Sequence, residues 1–284
     1  MSGRILVLGA TGTVGAPLVA ELVARGERVR AASRRATEVP GAEAVRFDHF
    51  DPSTHEAAFE GVDRAYVLMP SGHLNVVETL GPIMDLAARK GVKVVFQSVF
   101  GVEADDSIPY RQVELRLERS GVPFVILRPN WFMDNFHTYW GESIRRQGVV
   151  AVPAAEGRTS FIDARDIALA AAAALTSDRF DGRAFNLTGP EALSHHEAAA
   201  VLSAALGRTV TYRPVDDETF VGIMTQAGVP EDYARFLAAI YYPVREGWAS
   251  AVTGAVAELT GQEPRDLRAY ARDHAAKLKV DAAA

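Results

Sequence analysis

The chain has 284 residues, 48% of them hydrophobic and 23% charged, and no cysteine. That composition supplies ample core-forming material and excludes a disordered chain, a collagen-like repeat, a disulfide scaffold and any site built on thiolates. A net charge of −6 with no basic block argues against nucleic acid or an anionic membrane as the main partner.

Met1-Ser2-Gly3-Arg4 runs directly into Ile5-Leu6-Val7-Leu8, without the regions of a signal peptide, so the stretch reads as a strand; the lack of cysteine permits a cytoplasmic home, which is the expectation. Short β-branched runs then alternate with helical patterns, the layout of βαβ units and a parallel sheet covered on both faces. The predicted strands are Arg4–Leu8, Arg28–Ala32, Ala44–Phe47, Arg64–Leu68, Val92–Gln97 and Pro123–Leu127. The predicted helices are Val14–Arg25, Ser53–Glu60, Asn75–Lys90 and Pro109–Ser120, ended by Gly26, Gly61, Gly91 and Gly121 as left-handed caps.

After Arg128-Pro129 an aromatic stretch, Trp131 to Trp140, reads as a substrate-side insertion. An alanine-rich helix over Ala164–Leu175 and a strand over Arg183–Leu187 follow; the apolar run 167–177 has about half the roughly 20 residues a spanning helix needs. Ser194-His195-His196-Glu197 is a capping box opening another helix. From Val215 the chain is helical, ending in an amphipathic helix around Pro264–Leu278 and a frayed tail from Asp281. The expected division is a dinucleotide-binding domain over 1–155, to which 159–189 returns, and a smaller C-terminal domain over 190–284 that covers the substrate.

The first strand ends in Gly9-Ala10-Thr11-Gly12-Thr13-Val14-Gly15, followed at once by helical periodicity. Glycines there let the backbone turn sharply and approach a pyrophosphate, while free N–H groups and the positive end of the helix dipole favour its charge. The spacing is Gly-x-x-Gly-x-x-Gly, not the Gly-x-Gly-x-x-Gly of ordinary dehydrogenases. At the end of the second strand, where an NAD site places a carboxylate on the ribose, stand Ala31-Ala32-Ser33-Arg34-Arg35. Two guanidiniums without a carboxylate favour a 2′-phosphate, hence NADP(H) over NAD(H); the alternative is a solvated turn. Asp48, just past the third strand, is either an adenine contact or a helix-start residue.

These motifs, with Phe124-Val-Ile-Leu-Arg-Pro-Asn-Trp-Phe-Met-Asp-Asn-Phe136 and Phe161-Ile-Asp-Ala-Arg-Asp-Ile167, resemble the NmrA-like group of atypical short-chain dehydrogenases/reductases over about residues 3 to 280. The wording of the Trp131–Phe136 segment is most similar to the branches of the ergot-alkaloid dehydrogenases and the NAD(P)H:quinone reductases. The resemblance implies an α/β fold, a Rossmann-like doubly wound parallel sheet of strand order 3-2-1-4-5-6, with a smaller, mostly helical C-terminal domain closing over a cleft beside the nicotinamide. It places Gly9, Thr11, Gly12, Thr13, Val14 and Gly15 on the phosphates and Arg34 on the adenosine phosphate. Met69, Pro70, Gln97 and Ser98 would line the cofactor trench, and Asn130, Trp131 and Phe132 would sit by the nicotinamide and substrate.

Short-chain dehydrogenases usually protonate their substrate through a Tyr-x-x-x-Lys pair. Here the segment reads Tyr110-Arg111-Gln112-Val113-Glu114, and the only lysines are Lys90, Lys93, Lys277 and Lys279. A carboxylate at the lysine position would raise the pKa of a nearby phenol, which weakens Tyr110 as a general acid. Two explanations remain: an acceptor electrophilic enough to need only hydride, such as a quinone, enone or imine, or a regulatory protein that senses NADP(H) without turnover and acts on a protein partner. Trp131, Phe132, Phe136, Tyr139 and Trp140 are candidates for an apolar box around a flat conjugated substrate, or for packing. No metal site is expected: His195-His196 belongs to the capping box. Ser98, His137 and Asp134 lack the glycine-flanked elbow of a nucleophilic triad, and Asp163 and Asp166 read as helix anchors.

Overall fold

The computed structural model describes residues 3–279; Met1, Ser2 and the tail expected from Asp281 lie outside the described residues. Strand β1 (Arg4–Leu8) leads through the glycine turn into α1 (Gly15–Ala24), followed by β2 (Arg28–Ser33) and β3 (Glu43–Arg46). Then come α2 (His55–Ala58), β4 (Val62–Leu68), α3 (Val76–Arg89), β5 (Lys93–Gln97), α4 (Pro109–Glu118) and β6 (Phe124–Pro129). The helix expected over 53–60 is a 3-10 turn, Pro52–Thr54, capped by the Asp51 side chain, running into the short α2. The chain continues through α5 (Gly141–Gln147), β7 (Val149–Val152), β8 (Arg158–Thr159), α6 (Ala164–Leu175), β9 (Arg183–Leu187) and β10 (Leu193–Ser194). It ends in α7 (His195–Leu206), β11 (Thr211–Pro214), α8 (Asp217–Gln226), α9 (Glu231–Ala239), α10 (Tyr242–Arg245), α11 (Ala255–Thr260), α12 (Leu267–Asp273) and α13 (Ala275–Leu278).

Two compact units result. The first contains the chain up to Pro129, Ala164–Leu187 and Ala255–Gln262; the second contains Asn130–Asp163, Thr188–Gly254 and the residues from Glu263 on. The boundaries expected at 155 and 190 therefore move: the chain leaves the first unit directly after β6 and returns twice. Each return covers the sheet, because β9 pairs with β6 and α11 packs on α6 and β9.

The first unit is a seven-stranded, all-parallel sheet of order β3-β2-β1-β4-β5-β6-β9, the doubly wound arrangement expected, extended by β9. Its central strands are apolar on both faces, as a sheet sandwiched between helices requires. Leu6, Leu8, Val67, Val94, Phe96 and Ile126 form the core on one face. At the starts of β4 and β5, Arg64 donates to the Leu175 carbonyl and Lys93 to that of Ser177, satisfying backbone groups at and just past the end of α6. Both bonds tie the N-terminal halves of β4 and β5 to the end of α6.

The second unit packs Met133, Phe136, Trp140, Phe161, Tyr241 and Tyr270 into one core. It is less purely helical than expected, since β8 pairs antiparallel with β10 and β7 parallel with β11. The capping box of α7 is present, with Ser194 Oγ accepting from the Glu197 N–H and the Glu197 carboxylate accepting from the Ser194 N–H. The single helix expected over 264–278 is α12 and α13, divided at His274. No helix among the described residues is long and apolar enough to cross a membrane.

Candidate functional site

The sheet order reverses between β2-β1 on one side and β4-β5 on the other, so the carboxyl ends of β1 and β4 flank the crevice where open parallel sheets take ligands. The glycine turn occupies that point. Gly9 adopts φ +64°, and the Gly12 N–H closes the turn on the Gly9 carbonyl at 2.9 Å. A Cβ on Gly15 would lie 2.1 Å from the Gly9 carbonyl oxygen, so only glycine lets α1 start this close to the strand. Thr11, Gly12 and Thr13 are exposed, and no side chain caps α1. The turn is thus a cradle with its helix dipole unanswered, fit for a dinucleotide pyrophosphate. Val14 is buried and can contribute only backbone.

The turn after β2 is built on Ser33. Its carbonyl accepts from the Ala36 N–H and its hydroxyl from the Thr37 N–H at 2.9 Å, with Ala36 in the left-handed region at φ +48°. This holds Arg34 and Arg35 out into solvent, where neither forms an ion pair with another described residue. Asp48 Oδ1 accepts from the Phe50 N–H, a local turn, while Asp51 caps the following helix; the helix-start alternative for Asp48 therefore falls. His49 beside it donates from Nε2 to the Leu68 carbonyl at 3.0 Å, tying the loop after β3 to the end of β4. Burial lowers its pKa to about 4, against the opposing pull of that carbonyl. Of the pair after β4, the Met69 side chain is buried in the core and only Pro70 is partly open, a correction to Met69 as a lining side chain.

At the end of β5 successive side chains take opposite faces. Ser98 is buried beside α4, where Glu114, fully buried, accepts from Arg128 Nε and Nη2 at 2.9 and 2.7 Å and from Arg111 Nη1 at 2.9 Å. Burial pushes the Glu114 carboxyl up, but Arg128, the nearby Ser98 hydroxyl and Arg111 more than offset it, and its pKa ends below the ordinary range. Ser98 therefore faces this ionic cluster, although its hydroxyl makes no well-aligned bond there. One turn earlier, the Tyr110 ring stacks on Phe96 with centroids 6.4 Å apart and packs onto the core. The position that short-chain dehydrogenases give to a lysine is filled here by a neutralised structural anion.

The other face carries a pair the sequence reading missed. Tyr66, fully buried on β4, donates its hydroxyl to Gln97 Oε1. The available signal was a lone phenol in the apolar run Ala65-Tyr66-Val67-Leu68, because a buried hydroxyl needs a partner and Gln97 is the polar side chain on the neighbouring strand.

In the second unit Asn130 is buried and used up: its amide nitrogen donates to Ser160 Oγ and the Ala249 carbonyl, and its oxygen accepts from the Trp131 N–H. It shapes the chain and does not offer a ligand contact. Phe136, 1% exposed between Trp140 and Phe161, belongs to the core, a second correction. Trp131 and Phe132 stay partly open; Trp131 leans on buried Tyr241, ring centroids 4.5 Å apart. His137 pairs with the Tyr270 hydroxyl, and Ser98 faces Glu114, so neither serves a triad. Grooves of about 810 and 670 Å³ flank α7, and no predicted site residue lines either. Among the described residues no cluster of His, Asp and Glu could hold a metal.

Comparison with known proteins adds kinship. The NmrA-like family matches residues 1–270. An uncharacterized oxidoreductase of Bacillus subtilis, YesF, is 35% identical over 96% of this chain and 95% of its own length. The NAD(P)H azoreductase of Xenophilus azovorans is 33% identical over 96% and 98%. The solved structure of Citrobacter sp. triphenylmethane reductase in complex with NADP(H) is 25% identical, with a TM-score of 0.81 over 96% of this chain and 99% of that one.

Proposed function

Since the chain belongs to the NmrA-like family and, by kinship over nearly its whole length, is an oxidoreductase, we propose that it is an NADPH-dependent reductase that delivers hydride to a small conjugated electrophile such as a quinone, enone or imine. The observation that carries the cofactor reading is the exposed, unpaired Arg34 and Arg35 held beside an uncapped glycine cradle. When bound, the dihydronicotinamide supplies the hydride. The protein's part is to fix the pyrophosphate on Thr11–Gly15 and to clamp a 2′-phosphate with the guanidiniums. Pro70 and Gln97 border the same end of the sheet. Trp131 and Phe132, the aromatic residues of the 131–136 segment that keep open surface, are assigned to the substrate. A chain with no cysteine and no spanning helix among its described residues fits work in the cytoplasm.

The test is titration of the purified protein with NADPH and NADH, followed by loss of reduced-nicotinamide absorbance with a panel of quinones, enones, imines and azo dyes. Preferential NADPH binding with turnover is expected. Tight binding without turnover across the panel would replace this reading with that of an NADP(H) sensor. The Arg34→Ala/Arg35→Ala double variant should lose roughly ten- to a hundredfold in NADPH affinity, as lost charge-assisted bonds imply, with NADH little changed. Equal losses for both cofactors would sink the 2′-phosphate assignment. Trp131→Ala should raise the apparent KM for the acceptor more than it alters cofactor binding.

A further inference from the structure

Gln97 closes β5 and pairs in register with Leu68 of β4 and Leu127 of β6. Tyr66 stands opposite Val95, two residues earlier, so Tyr66 and Gln97 share one face of the sheet. The phenol is fully buried, and burial drives its pKa far above the usual tyrosine range, which favours the protonated form. A buried hydroxyl donor requires an acceptor. The Gln97 amide is thereby fixed with its oxygen inward and its NH₂ group outward. Gln97 is only partly buried, and the bond to Tyr66 is the only one its side chain makes with the described residues, which leaves Nε2 without a protein acceptor. An apolar pair would hold the same strands together without desolvating two polar groups, so packing alone does not account for this one. Its place does: β5 adjoins β4, whose carboxyl end flanks the ligand crevice.

We propose that Gln97 is the hydrogen-bond donor to the electron-accepting oxygen or nitrogen of the acceptor, and that Tyr66 is the residue that positions it; the proposal rests on the reductase reading above. Hydride transfer forms a new C–H bond on a quinone, enone or imine and leaves the cofactor oxidised. The electron pair displaced from the acceptor's double bond comes to rest on its oxygen or nitrogen. An amide N–H already aimed there stabilises that charge as it develops, and water supplies the proton that completes the reduction. The arrangement meets the need for an electrophilic contact in a chain whose Tyr110 packs against the core and whose lysine position is a paired carboxylate.

Two variants separate the roles. Gln97→Glu keeps an acceptor for the Tyr66 hydroxyl and removes the donor; Tyr66→Phe keeps the donor and removes its anchor. Both are assayed for NADPH-dependent reduction of 1,4-naphthoquinone. A second readout, free of turnover, is binding of the 2-hydroxy-1,4-naphthoquinone anion in the presence of NADP⁺, followed by its visible absorbance and set against binding of neutral 1,4-naphthoquinone. Gln97→Glu should lower kcat by about a hundredfold, the scale of one lost oxyanion donor. It should weaken the anion about tenfold or more, while the neutral quinone and NADPH bind within about twofold of the parent. Tyr66→Phe should show the same pattern at smaller amplitude. Equal loss of anionic and neutral quinone, or a parallel loss of NADPH affinity, overturns the proposal by making Gln97 a packing or cofactor residue. Turnover unchanged in both variants overturns it while leaving the reductase reading intact. A parent protein that neither binds NADPH nor reduces any acceptor overturns both.

Discussion

The two faces of the sheet at the end of β5 hold polar groups in opposite ways. On the α4 side, Glu114 is enclosed by Arg128 and Arg111, and Arg128 reaches a second carboxylate, Glu103, at 3.5 Å; every charge there is answered from within the unit. On the other side Tyr66 and Gln97 are uncharged, and the Gln97 amide nitrogen has no acceptor among the described residues. A closed ionic cluster holds a helix to a strand but has nothing to offer a ligand. An anchored amide with an unused N–H does. On the face where short-chain dehydrogenases keep their proton relay stands this paired cluster, and the proposed donor lies on the face opposite.

The sharpest way to break this contrast is Glu114→Ala, which leaves buried Arg128 and partly buried Arg111 around an empty position. A loss of about 3 kcal/mol is expected in urea denaturation, the scale for removing one partner of a buried pair, moderated by Glu103, Asp106 and Glu118. A loss near zero would mean that the cluster does not fasten α4. Arg128→Lys, which keeps the charge and loses the two-pronged contact, should cost less, about 1–2 kcal/mol by the same assay.

Acid should separate the faces further. Glu114 titrates below its ordinary range when folded, so its contribution is present above the unfolded carboxylate pKa and disappears as pH falls through the folded one. His49 adds an earlier loss: neutral when folded down to about pH 4 but protonated below about 6.5 when unfolded, it weakens the fold as pH drops through that window. Because His49 keeps some contact with solvent, about 1 kcal/mol is expected, read as the part of the pH 7-to-4.5 decline in the urea midpoint that His49→Gln removes. His137 and His195 in the second unit, both lowered to about 4 by burial first, contribute in the same direction. Tyr66 and Gln97 do not titrate in this range. The smallest effect is expected for Tyr110→Phe: a kcat/KM within about twofold of the parent, because its ring packs against Phe96. A fall of a hundredfold would return the proton relay to the α4 face.

The first unit was legible residue by residue. Its strands and its helices α1, α3 and α4 lie within two residues of the periodicity reading, and Gly26 and Gly91 take the left-handed caps assigned to them, with φ of +79° and +67°. The second unit was not. Val149–Val152 and Thr211–Pro214 are too short to declare themselves as strands and form only because they find each other some sixty residues apart. The aromatic stretch misled because size and apolarity do not tell a ring that receives a substrate from one, like Phe136, that fills a core.

By itself the sequence determined what depends on local backbone geometry: the glycine turn, the helix caps, the alternation of strand and helix, and the arginines set at a fixed distance along the chain from that turn. Tertiary structure alone decided which polar side chains answer one another. That Glu114 meets Arg128, that Asn130 is consumed by Ser160 and Ala249, and that Tyr66 turns the Gln97 amide outward are outcomes of strand register and helix packing. Such pairings join residues from 14 to 119 positions apart, a range over which hydrophobic periodicity carries no record of partners.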